Sequence, residues 1–339
     1  MNLKETSLPA LPSYYSKRSL PQNFKKDDRE LFEKEFERYI QASKAHVLEA
    51  AVIVDETIWD WKTFSFLDQL SHPSPLSKKA KIKRFPSLLK PSRFVEKAIW
   101  MTDTWAHNYF HWMTESIPRL IALEGDYKDH KVVLPKRLEN FNYVSDSLNL
   151  LGYDHLFFSK DQKLTIASLV SFDRTAPSFN YHQQVIKSIR NRMKVEKSKV
   201  SDRKIYVSRR KAGKRKIVNE EELILQLMRS GYEIHQFEDY SLAEQIQLMN
   251  GTSNFISMHG AGLTNMLFME KGAKVLEFRF RGDTTNNCFY TLASELGHLY
   301  YYSQNDFQTP NIHLNSNMIL DIEDTLQAIA DMESLTKEG

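Results

Sequence analysis

Apolar positions in the second half of the chain fall into a regular alternation. Short apolar runs such as Ile205-Tyr206-Val207 and Phe255-Ile256 are the length of buried strands. Between them, apolar residues recur three or four apart. Leu223, Ile224, Leu227 and Met228 form one such stripe, opened by Asn219 with Glu222 three residues on and closed at Gly231. Leu242, Ile246 and Met249 form another, after Ser241 and Glu244, which read as a capping box. The pattern predicts strands over 204–208, 233–237, 254–258, 274–278 and 299–302. Short helices are expected at 263–269 and 287–296, and a last helix at 319–332 with no strand after it. Strands alternating with helices imply parallel βαβ units and a doubly wound α/β sheet.

The first half is less regular. Ala51-Val52-Ile53-Val54 predicts a buried strand, and 131–134 and 163–172 two more. Helices are expected over 28–42, 107–123, 139–151 (closed by Gly152) and 181–195. Residues 71–92 hold four prolines and read as a surface loop.

At 339 residues the chain is long enough for two domains. Its composition, 41% hydrophobic and 26% charged, is globular. The longest apolar run, Ala50 to Val54, is far short of a membrane span. A single cysteine, Cys288, excludes an internal disulfide framework and a multi-cysteine metal site. With no signal-like core at the N-terminus, the expected location is cytoplasmic. The net charge of +3 hides an asymmetry: residues 187–216 carry 14 Lys/Arg and 2 Asp/Glu. Such a cluster suits a solvated face, phosphates, nucleic acid or an anionic membrane. It also marks a boundary, giving domains at 1–192 and 193–312 and a tail at 313–339.

Ligands of doubly wound folds bind beyond the carboxyl ends of strands. That rule points to 208–215, 237–241, 259–265 and 277–281. The glycines of His259-Gly260-Ala261-Gly262-Leu263-Thr264-Asn265 either let backbone N–H groups meet an anion or simply make a tight turn. Arg209 and Arg215 are the candidate phosphate ligands of the basic run. Glu238 and Glu277 could accept ribose hydroxyls or serve as caps. In Asn108-Tyr109-Phe110-His111-Trp112-Met113-Thr114-Glu115, His111 and Glu115 share a helix face, as an acid–base pair or an internal ion pair.

Together these segments resemble glycosyltransferase family 61, a group tied in bacteria to capsular polysaccharide biosynthesis. The likeness runs in order through Asn108–Glu115 with Pro118-Arg119, Ile205–Arg210 with Arg215 and Asn219-Glu220, Glu238 with Ser241 and Gln245, and His259–Asn265 with Phe268 and Glu277. The resemblance implies a GT-B enzyme: two Rossmann-like domains facing a cleft, with the last helix packing back on the first domain. It implies inverting transfer from a nucleotide-sugar donor, with no metal and no cofactor. Glu115 would be the base, tuned by His111, which is the second choice for that role. Asn108 and Arg119 would lie on the acceptor side. Arg209, Arg215, His259–Asn265, Glu238 and Glu277 would hold the donor. The acceptor would be a glycan or lipid-linked glycan, with peripheral contact to an anionic membrane at its inner face. Two other readings stand beside it: a metal-dependent hydrolase using His107, His111 and Glu115, and a nucleic-acid-binding protein using 187–216.

Overall fold

The computed structural model describes residues 8–123, 125, 127–196, 198–309 and 316–334. The chain divides into two compact units, Met1–Tyr14 with Tyr39–Lys194 and Tyr15–Arg38 with Val195–Gly339. β1 (Ala10–Leu11) is followed by β2 (Tyr14–Lys17) and β3 (Glu37–Ile40), which pair where the chain enters and leaves the second unit. The expected helix over 28–42 is mostly absent: only Arg29–Phe32 is α-helical, and Glu37–Ile40 is strand. Phe32 is buried among Phe24, Tyr290 and Tyr302, so this segment is shaped by packing its aromatics and not by a helical stripe.

The first unit continues with β4 (Ser43–Val54), β5 (Thr57–Asp60), β6 (Ser65–Leu67), β7 (Ser92–Trp100), β8 (Lys131–Pro135), β9 (His155–Phe158) and β10 (Lys163–Phe172). Their order is β6-β5-β4-β10-β7-β8-β9, with β1 added to β4. β10, β7, β8 and β9 run parallel, as in a Rossmann-like domain. β4, β5 and β6 form an antiparallel meander, which the sequence pattern did not suggest. Only Asp55 and Glu56 separate β4 from β5, too few residues for a parallel crossover. Both are left-handed, with φ of 46° and 57°, as a tight hairpin turn requires. The loop expected over 71–92 contains a short helix, Lys78–Ile82, capped by Ser77.

The second unit holds β11 (Arg203–Val207), β12 (Glu233–His235), β13 (Thr252–Met258), β14 (Lys274–Phe280), β15 (Leu299–Phe307) and β16 (Met318–Ile319). They lie in the order β12-β11-β13-β14-β15-β16, the first five parallel and β16 antiparallel. This is the doubly wound sheet that the alternation predicts. Tyr206, Ile256, Leu276 and Tyr301 fill its core against Leu223 and Leu227 of the helix Glu220–Arg229. The Ser241/Glu244 capping box is present. Asn219 does not cap its helix by a side-chain bond; its amide pairs with both backbone groups of Leu320 at 3.0 and 2.8 Å. The last helix, Ile322–Ser334, was expected to pack back on the first domain. Instead its Ala328, Ile329 and Met332 join the core of the second unit's own sheet, because its apolar stripe matches the β14–β15 face. The whole is a mixed α/β chain with two parallel-containing sheets, compatible with a Rossmann-like glycosyltransferase.

Candidate active site

Each sheet reverses its winding at one point, and each such point carries a cluster of polar side chains. In the first unit the reversal lies between β7 and β10, where loops leave the carboxyl ends of both strands. The segment between β7 and β8 turns into a helix at Tyr109, with Asn108 Oδ1 accepting from the Phe110 N–H at 2.9 Å. After His111 the helix widens into one π-type turn, Trp112–Ser116, a distortion found often at functional sites. His111 Nδ1 lies 3.1 Å from Glu115 Oε1, off the line of a good hydrogen bond, and neither buried atom bonds elsewhere. Glu115 Oε2 accepts from Arg174 Nη1 at 2.8 Å. Arg174 also pairs with Asp103, and its guanidinium carbon lies 5.9 Å from the Trp105 ring centre. Trp105 in turn lies 4.9 Å from the His111 ring. Burial pushes the Glu115 carboxyl up, but His111 and the Arg174 charge outweigh it, so the group stays below its ordinary value. A carboxylate so stabilised orients an imidazole better than it takes a proton itself.

Other first-unit candidates belong to the fold. Arg119, expected on the acceptor side, is 3% exposed. Its Nε donates to the Phe172 carbonyl at 2.7 Å, and Nη2 to the Leu70 carbonyl at 2.7 Å and to Ser171 Oγ at 3.0 Å. Asn108 is the helix cap described above. The metal reading fails on geometry: His107 precedes the helix, and its Nδ1 faces the Thr104 carbonyl at 3.0 Å. No three His, Cys, Asp or Glu side chains converge among the described residues. A pocket of about 450 Å³ opens beyond the carboxyl ends of β7, β8 and β9, lined by Thr104, Pro135, Arg137 and Lys160 among others. Arg137 clasps Glu56 at 2.7 and 2.6 Å and donates to the Asp103 carbonyl at 2.9 Å, which ties this pocket to the Arg174–Glu115 pair.

In the second unit the reversal lies between β11 and β13, so the turns after Val207 and Met258 flank it. Arg209 Nε donates to the Arg215 carbonyl at 3.0 Å, and Nη2 to the Lys214 carbonyl at 3.1 Å. So anchored, its guanidinium covers Gly260, where a Cβ would sit 2.3 Å from Nη1. Burial and the neighbouring Arg215 lower the Arg209 guanidinium to about 10, against the opposing charge of Glu238. Arg215, also lowered by burial, makes no side-chain hydrogen bond among the described residues and faces a pocket of about 260 Å³. Two adjacent cations without a hydrogen-bonded carboxylate have the charge to meet an anion. The N–H groups of Gly260, Ala261 and Gly262 donate to no backbone group among the described residues, and Ala261 and Gly262 are half-exposed.

His259 stands at the same edge, its Nδ1 paired with Glu277. Glu277 was a candidate for ribose. It is 0% exposed and also accepts from the Tyr300 hydroxyl at 2.6 Å, so it positions His259. Glu238 is exposed and free to meet a ligand. Leu263, Thr264 and Asn265, expected to hold the donor, are sealed in the core, and Asn265 Nδ2 donates to Gln245 Oε1 at 2.8 Å. Only His259 and the backbone of 260–262 remain of that turn as ligand groups. Four of the fourteen cations of the basic run are paired within the unit: Arg203, Lys204, Arg210 and Lys211 meet Glu233, Glu333, Glu220 and Asp239. Sequence reasoning missed Arg174, Asp103 and Trp105, and also the pocket wall formed by Asp283 and the stacked Phe280 and Phe307 rings, 4.0 Å apart.

A family model described as Glycosyltransferase 61 matches residues 109–276, from the first residue of the Tyr109 helix to within one residue of Glu277. The chain is also similar to the EGF domain-specific O-linked N-acetylglucosamine transferase of Bos taurus, 36% identical over 84 residues, which is 23% of this chain and 16% of that protein. The protein of the same description from Pan troglodytes is 32% identical over 110 residues, 30% of this chain and 20% of its own length. The matched stretches thus span a fifth or less of these two relatives. The match over residues 109–276, just under half of the chain, takes in His111, Glu115, Arg174, Arg209, Arg215 and Gly260 and makes this chain similar to glycosyltransferase family 61.

Proposed function

We propose that the chain is an inverting glycosyltransferase of GT-B type, moving a sugar from a nucleotide-sugar donor to a hydroxyl of a glycan or lipid-linked glycan in cell-surface polysaccharide biosynthesis. The second unit takes the donor and the first supplies the base. The observation that carries the reading is the Arg209 guanidinium over Gly260, with Arg215 as a neighbouring cation and backbone N–H groups with no backbone partner among the described residues beside it. Such a site suits a diphosphate leaving group without a bound cation. Glu238, exposed and within electrostatic reach of Arg209, would accept a ribose hydroxyl, and the nucleotide would enter the 260 Å³ pocket beside Arg215.

On the acceptor side the roles of the pair are best exchanged relative to the sequence expectation. His111 takes the proton from the acceptor hydroxyl, and Glu115, fixed by Arg174, orients the ring and stabilises the imidazolium. The hydroxyl oxygen bonds to the anomeric carbon as the bond to the diphosphate breaks, which inverts the centre and leaves the electron pair on the diphosphate. The similar transferases named above support a transfer reaction; the N-acetylglucosamine of their description is one donor sugar to try first. A cytoplasmic location belongs to the same proposal.

The test is a thermal-shift panel of nucleoside diphosphates and nucleotide sugars. A ligand at 100 times its Kd stabilises by about 2.7 kcal/mol, a rise of roughly 5–10 °C for a unit of this size. No shift with any nucleoside diphosphate overturns the donor site.

A further inference from the structure

The first unit leaves large apolar side chains in solvent on one short stretch. Trp61, Phe64, Ile82 and Leu89 are 50%, 68%, 65% and 88% exposed. They come from two pieces that pack together: the tip Trp61-Lys62-Thr63-Phe64 between β5 and β6, and the segment 77–89. Phe85 meets Trp59 and Phe66 edge-on, with ring centres 5.4 and 5.5 Å apart. Trp59 meets Trp61 and Phe64 at 5.6 and 5.0 Å. Arg84 Nε donates to Thr57 Oγ1 at 3.1 Å, and Lys81 pairs with Asp68 at 2.8 Å. A buried tryptophan therefore anchors a cluster whose outer rings face water. Phe64 has φ of 52°, a conformation that bulky residues avoid. One edge of the Phe64 ring packs on Trp59 while most of its surface stays in water.

The segment that bears these side chains has an excess of positive charge. Residues 61–90 carry seven Lys/Arg and one acidic residue, Asp68. Lys62, Lys81 and Lys90 pair with Glu49, Asp68 and Asp55. Lys78, Lys79 and Lys83 have no carboxylate partner among the described residues. The basic run at 187–216, where the sequence suggested membrane contact, exposes among its described residues one large apolar side chain, Val200, and no aromatic.

We propose that this face, and not the 187–216 run, docks the protein on an anionic lipid bilayer. Trp61, Phe64, Ile82 and Leu89 enter the boundary between headgroups and acyl chains, and Lys78, Lys79 and Lys83 meet the lipid phosphates. Aromatic rings at a hairpin tip, with lysines lacking carboxylate partners on the segment packed beside it, are complementary to such a boundary in both polarity and charge. The protein lies on the surface: no helix among the described residues is long and apolar enough to cross. Lys83 and Arg84 also line the 450 Å³ pocket, so the docked face adjoins the pocket tied to Glu115.

The test is co-sedimentation of the full chain with vesicles of phosphatidylcholine alone and of phosphatidylcholine with phosphatidylglycerol. Binding is expected to the mixed vesicles and to fall with added salt. Lys78→Gln and Lys79→Gln each weaken it about fivefold. The double variant Trp61→Ser/Phe64→Ser abolishes it while leaving the circular dichroism spectrum near wild type; the lost contacts with Trp59 lower Tm but leave the chain folded at the assay temperature. Failure to bind the mixed vesicles, or wild-type binding by the double variant, overturns the proposal. So does equal binding to uncharged vesicles. So does loss on Lys199→Gln/Lys216→Gln with Lys78→Gln/Lys79→Gln silent.

Discussion

Gly260 offers a direct test of the anion site. Its φ of 171° is extended backbone that alanine also adopts, so the chain's own geometry does not demand glycine there. The demand comes from Arg209: a Cβ would lie 2.3 Å from Nη1 and 2.9 Å from Cζ. To reach ordinary contact the guanidinium must retreat by about 1 Å. It has little freedom to do so, because Nε and Nη2 are held by the Arg215 and Lys214 carbonyls at 3.0 and 3.1 Å. Gly260→Ala therefore moves the cation off the anion position or breaks its anchors. Loss of one hydrogen bond to a charged group is worth about 1.5–3 kcal/mol, so affinity for a nucleoside diphosphate should fall roughly 10- to 150-fold. Gly262→Ala is the control. Its Cβ would meet Phe237 at 3.4 Å, an ordinary contact, and affinity should change little. Isothermal titration of both variants reads the difference, with urea unfolding to confirm that each is folded. Adding Arg209→Ala to Gly260→Ala should cost little more, since both remove one contact. Wild-type affinity in Gly260→Ala, or equal losses in the two glycine variants, would refute the cradle.

Three further outcomes follow from the same geometry. His111→Ala and Glu115→Gln should each lower turnover by about 10²–10⁴ with nucleotide affinity unchanged; near-normal turnover in either removes the pair from the chemistry. The Glu115 carboxyl is held below 4.5, so its stabilising contribution is complete above that value and drains as pH falls through the lowered folded-state value. In Arg174→Gln the lowering that Arg174 supplies is lost while that of His111 remains. The stability gap to wild type, from urea unfolding, should be full at neutral pH and shrink below about pH 4.5; a gap independent of pH contradicts the pairing. Arg119→Ala should cost about 3–5 kcal/mol in unfolding free energy, because it empties a buried site and strips the Leu70 and Phe172 carbonyls of their donor. A stable variant with a raised acceptor KM would return Arg119 to the acceptor side.

The second unit was legible because its signals are local. The Ser241/Glu244 box, the helical stripes and the strand lengths each depend on residues within a few positions, and the parallel order follows from their alternation. The β4–β6 meander was not, because its turn is Asp55-Glu56, left-handed residues without the glycine that marks such hairpins. Arg119 was misplaced for another reason. An arginine in a motif looks the same in sequence whether it meets a ligand or three groups of its own fold, and only burial tells them apart.

Arg174 shows where local signals end. It stands 59 residues from Glu115, in a loop with no periodicity to tie it to the Tyr109 helix. What joins them is sheet order: β10 returns beside β7, so the loops bearing Asp103 and Arg174 leave neighbouring carboxyl ends. The same rule brings Arg209, after β11, over Gly260, after β13. Yet the two reversal points are charged for opposite work. Arg174 is bound by two carboxylates, Asp103 and Glu115, leaving an imidazole beside a fixed negative charge, the setting for accepting a proton. Arg209 spends its anchors on neutral carbonyls, and Arg215 has no hydrogen-bonded carboxylate among the described residues, so positive charge stays uncompensated where an anion would sit. Which partners are carboxylates, and which are carbonyls, separates a proton site from a phosphate site at the same edge of two related sheets.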